Sequence, residues 1–272
     1  MHALLDHATT VARAAAAAIL DVKRSSSITA TEKADHSPVT AADLAADAII
    51  RAQLAVSTPI VTEETWTSTT MPTAGRVWIV DPLDGTKDFV AGRPDYVVQI
   101  GLVIDGVPRL GVVCQPETGR VWRGFVDDDG TRRCERLDPD GTVTTYAAAT
   151  VANTTTTTTR PRLTISISHP SRAIDAVCAA IGADVVPRGS VGLKIGAILD
   201  DEADGYVTDS RYIKVWDTAA PAAIILAAGG SITSLSGTPL RYDDAVIHDD
   251  GVAAFGVGGA ALRARVFAAL PR

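Results

Sequence analysis

The chain has 272 residues, 46% of them hydrophobic, a mean hydropathy of +0.16 and a formal net charge of −7. That length buries a sizeable core as one large domain or two packed subdomains, and the composition excludes a disordered chain. Without a basic surplus to neutralise a phosphate backbone, a binder of nucleic-acid polymers is excluded too.

Residues 3–23 place Leu4, Leu5, Ala8, Val11, Ala12, Ala15, Ile19 and Leu20 at helical spacing. Asp6, His7, Arg13, Asp21 and Lys23 interrupt this Ala-rich stretch, so it lacks the apolar core of a signal peptide, and no membrane span is expected. A second helix should start at Thr40 as N-cap and bury Leu44, Ala48 and Leu54. Strands are expected at 59–62 and 76–81, then at 96–105 and 107–114, joined through the hairpin signal Asp105-Gly106. A further pair flanks the turn Asp127-Asp128-Asp129-Gly130.

Residues 138–160, which end in Thr154 to Thr159, lose all pattern and read as a boundary or surface loop. Beyond them strands (163–168, 184–187, 204–208, 230–235, 252–257) alternate with helices (171–181, 190–199, 216–228, 260–269). The expected fold is layered α/β. Residues 1–150 form an α+β subdomain of helices on a largely antiparallel sheet, and 151–272 a C-terminal α/β subdomain. Cys114, Cys134 and Cys178 are widely spaced without a CxxC, as expected of reduced thiols in a cytoplasmic protein.

The chemistry concentrates after the β-branched run Val77–Val80. Asp81 and Asp84 leave a strand end separated only by Pro82 and Leu83, and two carboxylates this close repel unless a cation lies between them. Gly85 and Thr86 then offer backbone amides to an anion. Glu63-Glu64 leave another strand end, Asp217 opens an otherwise apolar helix, and Asp43 lies in the first turn of the second helix. Glu63, Asp81, Asp84 and Asp217 gathered in one pocket could not persist unpaired, and two or three Mg²⁺ ions would balance them. Oxygen-only ligands favour Mg²⁺ over Zn²⁺.

Asp43, Glu63-Glu64, Asp81-Pro-Leu-Asp-Gly-Thr86 and Trp216-Asp-Thr-Ala-Ala220 occur in the order that resembles the inositol monophosphatase superfamily of Mg²⁺-dependent, lithium-sensitive phosphatases. Several segments are most similar to its CysQ-type 3′(2′),5′-bisphosphate nucleotidases. They are Lys33 to Asp43, Lys87-Asp88-Phe89, Gly111 to Pro116, Gly189-Ser-Val-Gly-Leu-Lys194 and Trp216 to Pro221. Where an inositol monophosphatase carries a glutamate that binds substrate hydroxyls, this chain has Ser210.

The resemblance implies an alternating αβαβα sandwich of the inositol monophosphatase and sugar phosphatase type. It also implies removal of the 3′-phosphate from 3′-phosphoadenosine 5′-phosphate or a related nucleotide. Inositol phosphate, histidinol phosphate or another small phosphomonoester is the alternative substrate, and a non-catalytic phosphate-ligand binder the alternative of another class. Glu63, Asp81, the Leu83 carbonyl, Asp84 and Asp217 would hold the metals. Thr86 and Asp43 would form a dyad on a metal-activated attacking water, with Glu63 assisting through its ion. Gly85 and Thr86 would steady the phosphate, with Ser190, Lys194, Arg211 and Lys214, beside Arg188, on the substrate side. The superfamily includes monomers and homodimers. By themselves, residues 81–86 call for metal and phosphate; Asp43 and Asp217 join them through the resemblance.

Three motifs compete. Asp127 to Thr131 matches the DxDGT loop of haloacid-dehalogenase-type phosphatases, but no βαβ unit precedes it and a hairpin turn is expected. Cys114 to Arg120 has the CX₅R spacing of cysteine phosphatases, but Pro116 removes an amide from the loop. Gly256 to Ala261 imitates a dinucleotide fingerprint with too little chain after it for a βαβ unit.

Overall fold

Alternating side chains along the strand Arg76–Asp84 serve two different cores: Trp78 and Val80 face one, Val77 and Ile79 the other. A sheet buried on both faces needs a layer on each side. The computed structural model of the chain, which describes residues 1–25, 29–32, 38–54, 58–73, 75–146 and 160–271, supplies both layers and continues beyond them.

Seven strands follow one another in chain order across the first sheet: 60–62, 76–84, 97–104, 107–114, 121–126, 132–137 and 143–145. All neighbours are antiparallel except the first pair. Helices α1 (His2–Ser25) and α2 (Ala41–Leu54) cover one face through Leu5, Val11, Ile19, Ala46 and Ile50. α1 is long and apolar enough to cross a membrane, but its apolar side lies in this core. The short helix α3 (Thr86–Val90) follows the second strand.

The second sheet, ordered 184–188, 162–166, 205–208, 252–255, 231–233, is parallel across its first three strands and antiparallel across the rest. Its outer face carries α4 (Arg172–Ile181) and, past two further helices, the C-terminal helix Ala260–Ala269. Those two, α5 (Val191–Leu199) and α6 (Val215–Ala227), fill the space between the sheets, which completes the αβαβα order.

α6 approaches the first sheet without intervening side chains. A Cβ on Gly101 would lie 2.8 Å from the Ala220 amide nitrogen, and one on Gly111 2.2 Å from the Ala220 carbonyl oxygen. Only glycine in the sheet, against the small residues Ala219 and Ala220 in the helix, permits that contact.

Thr40 caps α2 as expected: its hydroxyl accepts from the Ala42 amide and donates to Asp43. The buried face of α2 includes Leu54 as expected but otherwise differs. Leu44 is 55% exposed and Ala48 is exposed, because Asp43 turns inward and takes Ala42, Ala46 and Ile50 with it. The strand expected at 76–81 runs on to Asp84 through a register shift between Asp81 and Asp84, where Pro82 has no amide to give. Residues 138–146 are ordered rather than patternless, with a turn at Asp138–Gly141 leading into the edge strand Val143–Thr145. Thr154 to Thr159 and the 150/151 boundary lie outside the described residues.

The competing motifs have ordinary structural roles. Asp127–Thr131 is the turn between the antiparallel strands 121–126 and 132–137. Burial pushes the Cys114 thiol up to about 12, which rules out a thiolate nucleophile. Residues 256–259 link the last strand to the C-terminal helix.

Candidate active site

Two parallel strands deliver the first acids to one edge. Thr62 pairs with Val80, so Glu63 and Asp81 come next in register at the end of this parallel pair, and the Glu63 amide bonds the Val80 carbonyl at 3.2 Å. The bulge then folds Asp81 over its own turn, its Oδ1 accepting the Leu83 amide at 2.9 Å. Gly85 follows at φ 100°, where a Cβ would also strike the Asp95 carbonyl at 2.6 Å, so only glycine continues the chain into α3. Thr86 opens that helix, whose first amides have no intrahelical acceptor.

α6 supplies Asp217 at its first turn, where Oδ2 accepts the Lys214 amide at 2.8 Å. One carboxylate oxygen from each of Asp81, Asp84 and Asp217 lies within 4.8 Å of the others. Burial pushes the Asp84 carboxyl up to about 6; Lys194 and the Val191 amide oppose the rise and Glu63 adds to it. The Asp217 carboxyl is raised well above the usual carboxylate range, first by burial and then by Asp84 and Glu63. Carboxylates that resist ionising together, with oxygen donors at metal-ligand separation, fit a hard divalent cation.

Beside them, the Thr86 hydroxyl lies 3.0 Å from Asp43 Oδ1 and 3.1 Å from the Leu83 carbonyl oxygen, and donates to one or the other. The other Asp43 oxygen is fixed by the Thr40 amide and hydroxyl at 2.8 and 2.6 Å. A cavity of about 440 Å³ opens over this floor and is lined by Glu63, Asp81, Leu83, Asp84, Gly85, Thr86, Lys214 and Asp217. Lys214 Nζ stands 3.9 Å from Glu63.

The remaining expected substrate residues are placed otherwise. Lys194 is 2% exposed and donates to the Gly189 carbonyl at 2.6 Å, and burial pushes its ammonium down to about 8; it acts as a counter-charge behind Asp84 and does not line the cavity. Ser190 is fully buried and caps α5 by accepting the Leu193 amide at 3.0 Å. Arg211 is exposed and acts on Asp250, and Arg188 pairs with Glu202 at 2.6 Å. Tyr212 is 80% exposed on the cavity rim.

Composition alone did not single out Lys87, Ser168, His169 or Gln99. Lys87 and His169 share the cavity wall with their nitrogens 3.4 Å apart, and Gln99 donates to Asp84 at 2.7 Å. The one available signal for Gln99 was a lone polar residue in the apolar run Val97–Ile104.

A profile of the inositol monophosphatase family matches residues 1–262. The chain is 30% identical to the 3′(2′),5′-bisphosphate nucleotidase CysQ of Buchnera aphidicola, over 88% of this chain and 87% of that protein. It is 32% identical to a histidinol-phosphatase of Mycobacterium tuberculosis, over 81% and 83% respectively. The crystal structure of CysQ from Bacteroides thetaiotaomicron superposes with a TM-score of 0.72 at 25% identity, covering 91% of this chain and 94% of that one.

Proposed function

The chain belongs to the inositol monophosphatase family and is a phosphoric monoester hydrolase, and from that premise we propose that it removes the 3′-phosphate of 3′-phosphoadenosine 5′-phosphate or a related bisphosphate nucleotide, with Mg²⁺ as cofactor. The observation that carries the substrate class is the pairing of an acidic floor with a cationic wall. Asp81, Asp84 and Asp217 provide for one phosphate through metal, while Lys87, His169 and Lys214 on the same cavity offer positive charge or hydrogen bonds to a second. The exposed ring of Tyr212 and the side chain of Ile247 give the rim a flat apolar surface for a base. Histidinol phosphate, whose amine is cationic, finds less complementarity in that wall.

Glu63, Asp81, Asp84, Asp217 and the Leu83 carbonyl would hold the cations. Bound there, Mg²⁺ would supply Lewis acidity toward the phosphate and would make water a better nucleophile. The Thr86 oxygen, its own hydrogen directed to Asp43, accepts the proton side of the attacking water. A proton passing from water to Thr86 Oγ1, and from Thr86 to Asp43 Oδ1, leaves the hydroxyl intact and the carboxylate neutral. The water oxygen bonds to phosphorus as the bond from phosphorus to the ribose oxygen breaks in line, while the Gly85 and Thr86 amides steady the phosphate oxygens. Three free buried cysteines suit a reducing cytoplasm.

The test is a phosphoester panel with Mg²⁺ and with EDTA. We expect 3′-phosphoadenosine 5′-phosphate to be turned over fastest, and only with Mg²⁺. Equal turnover of inositol 1-phosphate or histidinol phosphate overturns the nucleotide assignment, and undiminished turnover in EDTA overturns the metal.

A further inference from the structure

We propose that Gln99 is a positioning residue that sets Asp84 and Asp217 as a pair for metal binding; the proposal rests on the metal reading given above. Pro221 lies inside α6 and has no amide, so the carbonyl of Asp217, one helical turn earlier, loses its helical donor. The side-chain amide of Gln99 takes that place, with Nε2 3.3 Å from the Asp217 oxygen. The same Nε2 donates to Asp84 Oδ2 at 2.7 Å. One buried amide group therefore ties the carboxylate on the strand exit to the backbone of the helix that carries the other carboxylate.

The second consequence concerns which oxygen of Asp84 faces the metal. Oδ2 accepts from Gln99 and also from the Val191 amide at 2.8 Å, which opens α5. Two donors, one from the strand 97–104 and one from α5, occupy that atom, so Oδ1 would be the oxygen left to a metal. A neutral amide does this without adding charge to Asp81, Asp84 and Asp217, as a glutamate at this position would.

A bland alternative is a polar residue that merely fills the core. Against it, Gln99 is fully buried and its Oε1 is a buried atom with no hydrogen-bond partner among the described residues. An orphaned acceptor is costly, and an apolar side chain of similar volume would avoid the cost. Turning the amide over would aim Oε1 at the Asp84 carboxylate, so the observed orientation follows from the two acceptors.

The experiment is Mg²⁺ titration of the chelator-treated full chain by calorimetry, with a parallel Mg²⁺ dependence of phosphatase activity. Gln99→Met keeps the length and removes the donor. Loss of a partner that orients a metal ligand typically weakens metal binding by about tenfold or more, and that loss is expected here. The Mg²⁺ concentration at half-maximal activity should rise by the same factor, with kcat recovering at saturating Mg²⁺ because Gln99 touches no substrate. Gln99→Asn, an amide too short to span both acceptors, gives the same loss and guards against a folding defect in the apolar variant. An unchanged Mg²⁺ isotherm in a folded variant overturns the proposal, whereas absence of Mg²⁺ binding in the wild type overturns the metal reading beneath it. Pro221→Ala returns a helical donor to Asp217. In that background Gln99→Met should cost the metal-free protein less thermal stability while Mg²⁺ binding stays weakened through Asp84; equal costs in both backgrounds overturn the Asp217 half.

Discussion

Asp84 and Asp217 face each other across the seam between the first sheet and α6; burial holds both carboxyls above the ordinary carboxylate range, and Asp84 raises that of Asp217 further. Without a cation the pair is a local source of instability. The Asp84 carboxyl, at about 6 against 3.8 unfolded, contributes stability that is fully present below pH 3.8 and lost as pH rises through about 6. Asp84→Asn keeps an oxygen for Gln99 and Val191 and removes the charge. In EDTA at pH 8 it should therefore unfold about 1–3 kcal/mol later than wild type, while Mg²⁺-supported turnover is abolished. Denaturant unfolding with and without metal checks both halves. Asp129→Asn, in a hairpin turn, should leave turnover unchanged, and the reverse pattern would contradict the site.

Thr86 and Asp43 should behave as one unit. Thr86→Val keeps the shape and loses the hydroxyl, and kcat is expected to fall by about 10² or more, the scale of positioned proton transfer. Mg²⁺ affinity should stay within about twofold, because general acid–base groups act on the proton and not on the cation. Asp43→Asn should cost a similar factor, and the double variant little more than either single change. Additive losses would show that the two residues act separately.

The legible and illegible parts of this chain differ in how far their residues are spread. Asp81 to Thr86 pack carboxylates, turn and amides into one short stretch, so their chemistry is visible without a fold. Asp217 lies far along the chain, and its arrival depends on α6 lying flat on Gly101 and Gly111, which no local pattern announces. Helical spacing puts Leu44 in the core, but the cap at Thr40 turns Asp43 inward and rotates Leu44 out. Lys194 and Ser190 lie on a motif that suits a substrate wall, yet burial and helix capping claim their polar atoms. Gln99 had only its isolation among apolar neighbours to mark it.

The close contact between α6 and the sheet makes its own prediction. Gly111→Ala places a Cβ where the Ala220 carbonyl stands, so α6 must lift. Overpacking of this kind costs about 1–3 kcal/mol. Because α6 carries Asp217, Mg²⁺ binding should weaken along with stability. A variant that is destabilised but binds Mg²⁺ as tightly as wild type would show that the helix relaxes without moving its first turn.

His248 supplies the opposing pH dependence. It is mostly buried beside Thr218, with Nε2 2.9 Å from the hydroxyl, and burial pushes its imidazole down to about 4 from 6.5. A depressed histidine contributes stability that is present above pH 6.5 and lost as pH falls through about 4. Over that window Asp84 works in the other direction, so the effect is read in the Asp84→Asn background. There His248→Gln should remove about 3 kcal/mol of acid-dependent loss between pH 7 and 4, measured by urea unfolding at each pH.

Lys87 separates the bisphosphate reading from its rivals. Its ammonium is 3.4 Å from His169 Nε2 on the cavity wall, and after burial, the larger cause, it helps to hold the His169 pKa below its ordinary value. A second phosphate placed between them would relieve that repulsion and gain a charge-assisted hydrogen bond, a contribution of about 1.5–3 kcal/mol. Lys87→Gln should therefore lower kcat/KM for 3′-phosphoadenosine 5′-phosphate by roughly ten- to a hundredfold. Adenosine 3′-monophosphate has no second phosphate to lose and should be turned over as before. The loss should appear mainly in KM if the contact is equal in ground and transition states, because uniform binding leaves kcat unchanged. Parallel losses on both substrates would place Lys87 at the transferred phosphate instead, and would leave the second phosphate without a partner on this wall.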